Sequence, residues 1–255
     1  MRRLILKRLG LMVVMLLGLA VITFTVANVA PGDPARLAAG PDASQEMVEQ
    51  IRVERGFDRA LPVRFAIYIG NLVQGDLGTS VYTGREVAQD VAIFLPATVE
   101  LVLFSIFIAI VLGVPLGVLA AVWQNKAGDH AIRLLSVSGV ALPMFWLGLM
   151  LVLVLAIRNP WFPATGYTPI SESLVGWWQH IALPAFTLGL AAAAILTRQL
   201  RGAMVDVMQQ DYVRTAKAKG LPYRKVVAKH ALKNAAIPMV TILGLQANSL
   251  LGGTI

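Results

Sequence analysis

The run from Leu101 to Asn125, LVLFSIFIAIVLGVPLGVLAAVWQN, contains no charged side chain. A helix needs about 20 apolar residues to cross roughly 30 Å of hydrocarbon. In lipid, every backbone polar group needs an internal partner, which a helix supplies. The run therefore predicts a membrane helix near 97–123 and an all-α integral membrane protein.

Four other runs are also free of Asp, Glu, Lys and Arg. They are Leu9–Gly32, Leu134–Ile157, Ser173–Thr197 and Asn234–Ile255. The chain is 57% hydrophobic and 14% charged, whereas a soluble domain is about one quarter charged. Together the runs predict five membrane helices, near 9–30, 97–123, 133–157, 181–201 and 235–255.

The two ends of the sequence raise separate questions. Arg2, Arg3, Lys7 and Arg8 precede the first apolar run, as they would in a signal peptide. That run is longer than the roughly 7–15 residues of a signal core and has no clear cleavage site, so we favour an uncleaved anchor. The last run reaches Ile255 without a polar flank, and we expect the sequence to stop inside a helix.

The distribution of charge predicts the orientation, because Lys and Arg mark cytoplasmic loops. Residues 31–96 carry nine acidic and six basic side chains and no lysine, whereas 198–233 carry nine basic and two acidic side chains. We therefore place the N-terminus and 202–234 inside, and 31–96 and 158–180 outside. An aromatic belt is expected on the outer side, formed by Trp161, Phe162, Tyr167, Trp177 and Trp178. The net charge of +8 thus reflects topology beside membrane lipid, and no nucleic-acid partner is expected.

The outer segment has its own helix signals. Asp42 with Gln45 predicts a capping box for a helix that ends at Gly56. Pro62 predicts the start of a second helix, and Gly75–Gly78 predicts a turn. Such a helical segment either packs on the helices below it, or meets a partner and shapes a solute entrance.

Glu100 is the acidic residue that falls within a predicted membrane helix, the one near 97–123. We expect it in the first turn of the second membrane helix, after Pro96, where the helix dipole favours an anion. A place in the solute path is the alternative.

Prolines and large apolar side chains give further candidates. Pro115 and Pro143 are expected to kink their helices. Met144, Phe145 and Trp146 follow the second of these prolines, and we favour core packing for them over lining a solute path. The candidate path residues are Glu100, Pro143, Met144 and Phe145. His180 is interpreted as an interfacial residue.

The inner loop, residues 202–234, contains the sequence DYVRTAKAKGLP at 211–222. It predicts a short basic helix in which Ala216 and Ala218 allow close approach of another surface. Gly220 can end that helix in a left-handed conformation, and Pro222 can begin the next one. This helix–break–helix shape fits a partner's cleft, and a basic segment resting on anionic lipid is the alternative.

The inner loop resembles the coupling loop of ABC importer permeases. The matching positions are Ala216-x-Ala218-x-Gly220-Leu221, His230-Ala231-Leu232-x-Asn234 and Ile237-Pro238. Further matches occur in order at Arg2–Arg8, Ala30-Pro31-Gly32-Asp33-Pro34, Gly75-Asp76-Leu77-Gly78-x-Ser80, Leu95-Pro96-Ala97-Thr98-x-Glu100-Leu101 and Leu183-Pro184-Ala185. This set, spread over nearly the whole chain, is similar to the first permease of the dipeptide/oligopeptide/nickel family. That family often has glutamate where Asp211 stands.

The resemblance implies a type I ABC importer transmembrane domain in a bacterial inner membrane, with a sixth helix beyond the five predicted. It implies a first membrane helix at 1–30, an outer segment at 31–94 and the importer domain at 95–255. The implied partners are a second homologous permease, two cytoplasmic ATPases that hold ATP and Mg²⁺, and an extracytoplasmic binding protein. The implied ATPase-docking residues are Asp211, Arg214, Thr215, Ala216, Lys217, Ala218, Lys219, Gly220 and Leu221.

No catalytic chemistry is expected in the chain itself. It contains no cysteine and no Gly-x-x-x-x-Gly-Lys-Ser/Thr phosphate loop. We therefore expect a permease subunit, not an enzyme, with no cofactor or metal of its own. Peptides are the expected cargo, and nickel or glutathione are alternatives. An ion-driven secondary transporter, which tends to carry ionisable residues in its spans, and a lipid-binding scaffold are the competing hypotheses.

Overall fold

A computed structural model describes residues 2–29, 32–40, 42–80 and 83–253. Over these ranges the chain is helical and has no strand, apart from an isolated bridge between Thr79 and Glu86. The helices are α1 Arg2–Val29, α2 Pro34–Ala39, α3 Gln45–Glu54, α4 Leu61–Val73, α5 Val87–Val122, α6 Ala127–Ala141, α7 Met144–Val152, α8 Leu174–Met208, α9 Asp211–Ala218, α10 Tyr223–Lys225 and α11 Lys233–Gly253. Two π-helical segments, Leu153–Arg158 and Val226–Leu232, follow α7 and α10.

Four continuous helices within the described ranges are long and apolar enough to cross a membrane. They are Arg3–Asn28, Val87–Val122, Leu174–Met208 and Tyr223–Gly253. A bent pair, Ala127–Ala141 with Met144–Arg158, brings the number to five if it forms one span. The predicted all-α membrane fold is confirmed, and most of the helices extend well beyond the apolar runs that revealed them.

The third span differs from the prediction of one helix over 133–157. It is broken between α6 and α7, whose axes differ by 92°. Pro143 causes the break, because proline disfavours helical backbone at the residue before it, and Leu142 is extended, with φ −72° and ψ 127°. The kink expected at Pro143 is therefore a full break. Pro115, in contrast, lies inside the continuous helix α5.

Helix α5 begins at Val87, ten residues before its predicted start, and Pro96 lies in its interior. Glu100 is therefore well inside the helix, and the expectation that it occupies the first turn was wrong. The apolar run marked only the membrane-embedded part of α5. The preceding turns contain Gln89 and Asp90, whose polarity concealed the helix from a search for charge-free sequence.

The chain divides into two compact units, residues 1–93 and 94–255. In the first unit, Ser44 caps α3, and its Oγ accepts a hydrogen bond from the Met47 N–H at 3.3 Å. Asp42 was therefore the wrong cap, because the capping oxygen must lie within reach of the third backbone N–H of the helix. The left-handed Gly56 after α3, with φ +65°, and the start of α4 beside Pro62 agree with the predictions.

The second unit is built around α8, which contributes the buried residues Leu196, Leu200 and Met204. Helix α5 packs closely on it through glycines. A Cβ atom on Gly117 would lie 3.0 Å from the Leu200 Cβ, and one on Gly189 would lie 2.8 Å from Ile108. Small residues allow this close approach of helices in membranes, and the contact supports α8 as far as Leu200.

Candidate functional site

Helix α9 of the inner loop has one buried face. Val213 and Ala216 are 0% and 5% exposed and pack with Val226 of the following π-helical segment. Val207 and Met208 at the end of α8 cover the same cluster. The small side chain of Ala216 therefore serves close packing within the chain, and α9 is fixed to the end of α8.

The opposite face of α9 is exposed. The Asp211 and Arg214 side chains are 96% and 72% exposed, and their 3.4 Å ion pair contributes little to stability because water screens it. The exposed side chains of Tyr212, Lys217 and Lys219 continue this surface. Of the other predicted docking residues, Thr215, Ala218 and Gly220 are exposed and Leu221 is half-buried. We call the exposed residues of 211–220 the docking face.

The docking face ends at a Schellman motif. The Leu221 N–H donates to the Ala216 carbonyl at 3.3 Å and the Gly220 N–H donates to the Lys217 carbonyl at 3.0 Å. Gly220 has φ +75°, the left-handed conformation that this motif requires. Pro222 then caps α10. The predicted helix–break–helix is confirmed.

The π-helical segment Val226–Leu232 anchors the second half of the inner loop to α8 and α5. Val227 and Ala231 pack with Leu200 and Met204 of α8 and with Ala121 of α5. The sequence predicts a helix here but not its π-helical geometry, which often accompanies functional sites. Both halves of the inner loop are thus anchored to the membrane helices, while the docking face stays exposed.

A buried ion pair lies beside this region. The Arg201 Nε and Nη2 atoms of α8 donate to the Asp129 Oδ1 and Oδ2 atoms of α6, each at 2.5 Å. The Asp129 side chain is 0% exposed and also accepts a hydrogen bond from the Asn125 N–H at 2.9 Å. The pair is not evident from the sequence, because its partners are 72 positions apart and lie just outside the charge-free runs.

A second candidate region is a cavity of about 440 Å³ between α7, the loop after it and the first half of α8. We call it the outer cavity. Its lining includes two of the predicted path residues, Met144 and Phe145. His180, which was interpreted as interfacial, also lines the outer cavity. Pro143 is the N-cap of α7, the helix whose first two residues are Met144 and Phe145.

Glu100 takes part in a different cluster. Its Oε2 accepts hydrogen bonds from the Trp177 Nε1–H at 2.7 Å and from the Tyr167 hydroxyl at 3.0 Å. Burial, and then the carboxylate of Glu100, raise the pKa of Tyr167 above its usual value. The Glu100 carboxylate thus links α5 to α8 through Trp177, and to the loop before α8 through Tyr167. Both residues belong to the predicted aromatic belt.

Within the described ranges, no group of three His, Cys, Asp or Glu side chains could hold a metal ion.

Residues 113–255 match the family model of the binding-protein-dependent transport system inner membrane component, and residues 1–102 match the N-terminal model of that system's membrane component. The chain belongs to this family. It is a permease subunit of an ABC importer in the bacterial inner membrane, and such a subunit is not an enzyme.

Two relatives align with nearly the whole of this ABC importer permease. It is 40% identical to the probable D,D-dipeptide transport system permease protein DdpB of Escherichia coli strain K12, over 96% of this chain and 78% of the relative. It is 41% identical to the glutathione transport system permease protein GsiC of the same strain, over 98% of this chain and 79% of the relative. The resemblance inferred from the motifs is confirmed.

Proposed function

We propose that this permease forms half of the translocation path of an ATP-driven importer of dipeptides and oligopeptides. A second homologous permease supplies the other half, and an extracytoplasmic binding protein delivers the solute. Two cytoplasmic ATPases bind ATP and Mg²⁺, and the docking face inserts into a groove on one of them. Peptide cargo is supported by the dipeptide permease among the relatives, and glutathione is the alternative that another relative suggests.

The observation that carries this proposal is the two-sided construction of α9. Val213 and Ala216 fix one side to the end of α8, while Arg214, Lys217 and Lys219 leave the other side basic and exposed. A helix held in this way moves with α8 as a rigid body. A displacement of the ATPase that grips the docking face would therefore reach the membrane helices.

The short side chain of Ala218 allows a partner surface to approach the backbone of α9. Anionic lipid would need only the basic side chains, whereas a protein groove also needs the shape of the helix and of the turn at Gly220. The Schellman motif and the left-handed glycine fix that shape. A precise turn favours a protein partner over a lipid surface.

Cross-linking in the assembled transporter tests the docking. Because the chain contains no cysteine, Ala218→Cys introduces a single thiol on the docking face, to which a benzophenone maleimide can be attached. Ala60→Cys is the matched control, since Ala60 is also exposed and belongs to the segment predicted outside. We expect a photoadduct between position 218 and an ATPase, and none from position 60. A position-218 probe that labels only lipid would contradict the proposal.

A further inference from the structure

The outer cavity is lined by residues of a single permease chain. Helix α7 contributes Met144, Phe145 and Gly148, and helix α8 contributes Leu183 and Thr187. Its volume of about 440 Å³ falls in the range of small-molecule sites. Its walls are mainly apolar, so they suit an apolar group of modest size.

His180 is the titratable side chain in the wall of the outer cavity. Its Nδ1 atom lies 2.8 Å from the Gly176 carbonyl oxygen and 3.3 Å from the Thr168 hydroxyl oxygen. A carbonyl can only accept a hydrogen bond, so this nitrogen carries the hydrogen. In the neutral ring the Nε2 atom is then an acceptor, and the Nδ1 bond holds the imidazole in one orientation.

Gly166 lies against the Nε2 atom of His180 at the edge of the outer cavity. Gly166 has φ +106°, and a Cβ atom built on it would lie 3.1 Å from Nε2. A side chain at Gly166 would therefore be both strained and pressed against the imidazole. Pro184 has no N–H, so the His180 carbonyl lacks its usual helical donor four residues on.

The remaining polar side chain of the α8 wall offers little to a ligand. The Thr187 hydroxyl donates to the Leu183 carbonyl at 2.8 Å, inside its own helix. Its methyl carbon faces Gly148, lying 3.6 Å from the position of a Cβ atom there. The outer cavity thus combines an apolar chamber with hydrogen-bond acceptors at His180.

We propose that the outer cavity is a solute subsite that receives one apolar side chain of a peptide, while a backbone N–H of that peptide donates to His180 Nε2. This inference rests on the proposed peptide cargo. A lipid acyl chain would fill the apolar part but would leave the imidazole acceptor without a donor, which is costly away from water. A peptide supplies both an apolar side chain and an N–H.

A filling variant tests the apolar part. Gly148→Leu places a side chain in the outer cavity, and Gly18→Leu is the matched control on α1, where no atom lies within 4 Å of the built Cβ. The complete transporter, with its binding protein, is reconstituted in vesicles and takes up Ala-Phe and Ala-Ala. Because the same binding protein serves every variant, a changed ratio of the two uptake rates reports the permease.

We expect Gly148→Leu to lower uptake of Ala-Phe relative to Ala-Ala by about tenfold, a usual penalty for a lost apolar fit. The control should keep the wild-type ratio. Equal loss of both peptides in Gly148→Leu, or an effect that follows only the acyl-chain composition of the vesicles, would overturn the subsite. Failure of the wild-type transporter to take up either peptide would instead contradict the proposed cargo.

A second measurement tests the hydrogen bond. Wild type is expected to take up Ala-Phe about tenfold faster than the same dipeptide methylated on its peptide nitrogen, whereas His180→Phe should discriminate much less. Because the same binding protein serves both transporters, the difference between their two ratios reports the permease. Equal discrimination in wild type and His180→Phe would overturn the role of Nε2.

Discussion

The carboxylate of Asp129 and the guanidinium of Arg201 face each other in a bidentate pair, with both hydrogen bonds at 2.5 Å. The pair joins the first turn of α6 to the C-terminal part of α8. Helix α8 leads into the docking face, and α6 leads through the break at Pro143 to the wall of the outer cavity. Helix α8 itself runs from the wall of the outer cavity to the docking face, and the buried ion pair adds a second connection between the two regions through α6.

Replacing the buried carboxylate should destabilise the protein. Asp129→Asn leaves the mostly buried Arg201 without its counter-charge, and removal of one partner of a buried pair costs roughly 3 kcal/mol or more. We expect a clearly lower melting temperature for the purified transporter. Asp58→Asn, at an exposed position, is the control and should melt like wild type. Unchanged melting of Asp129→Asn would show that the pair is dispensable.

Two substitutions separate the backbone conformation at Gly220 from the role of this residue in docking. Asparagine tolerates a left-handed backbone better than most residues, so Gly220→Asn should retain most of the ATPase that copurifies with the permease. Gly220→Glu adds an acidic group to the basic docking face and should lose the ATPase, although the chain still inserts in the membrane. Equal copurification with both variants would argue against a role of this turn in docking.

The close contact between α5 and α8 predicts that adding one methyl group at Gly117 lowers the stability of the protein. The Cβ atom of Gly117→Ala would lie 3.0 Å from the Leu200 Cβ and 3.1 Å from the Thr197 carbonyl oxygen. Overpacking of this kind costs about 1–3 kcal/mol. Thermal unfolding should show a lower melting temperature than wild type, whereas Gly10→Ala, with no atom within 4 Å, should not.

Tyr167 should make stability depend on alkaline pH. Burial and Glu100 raise its pKa in the folded protein, so the unfolded chain loses this proton first as the pH rises. The contribution of Tyr167 to stability is therefore complete below pH 10 and is lost at higher pH. Tyr167→Phe should lack this component of the alkaline decline in unfolding free energy, and identical pH profiles would contradict the assignment.

Local sequence signals predicted the features whose causes are local. Charge-free runs located the membrane helices, and Gly220 with Pro222 located the break in the inner loop. Only a kink, and not a full break, was predicted in the third span, because the sequence is apolar on both sides of Pro143. Only the extended backbone of Leu142 shows that the helix stops there.

Features that depend on distant partners could not be predicted in this way. Glu100 was assigned to a helix N-terminus, but its environment is set by Trp177 and Tyr167, which are 77 and 67 positions away. The pairing of Asp129 with Arg201 and the position of His180 in the outer cavity likewise depend on how the helices pack. The sequence supplied the chemical groups, and tertiary structure determined which of them meet.

The central claim is that this permease moves peptide with energy from ATP hydrolysed by docked ATPases. The most direct test reconstitutes the chain in vesicles with its sister permease, ATPases and binding protein, and measures uptake of a labelled dipeptide. We predict uptake that requires Mg·ATP and the binding protein, and that Gly220→Glu abolishes. Uptake by the permease alone, driven by a proton or sodium gradient and unaffected by ATP, would contradict the account.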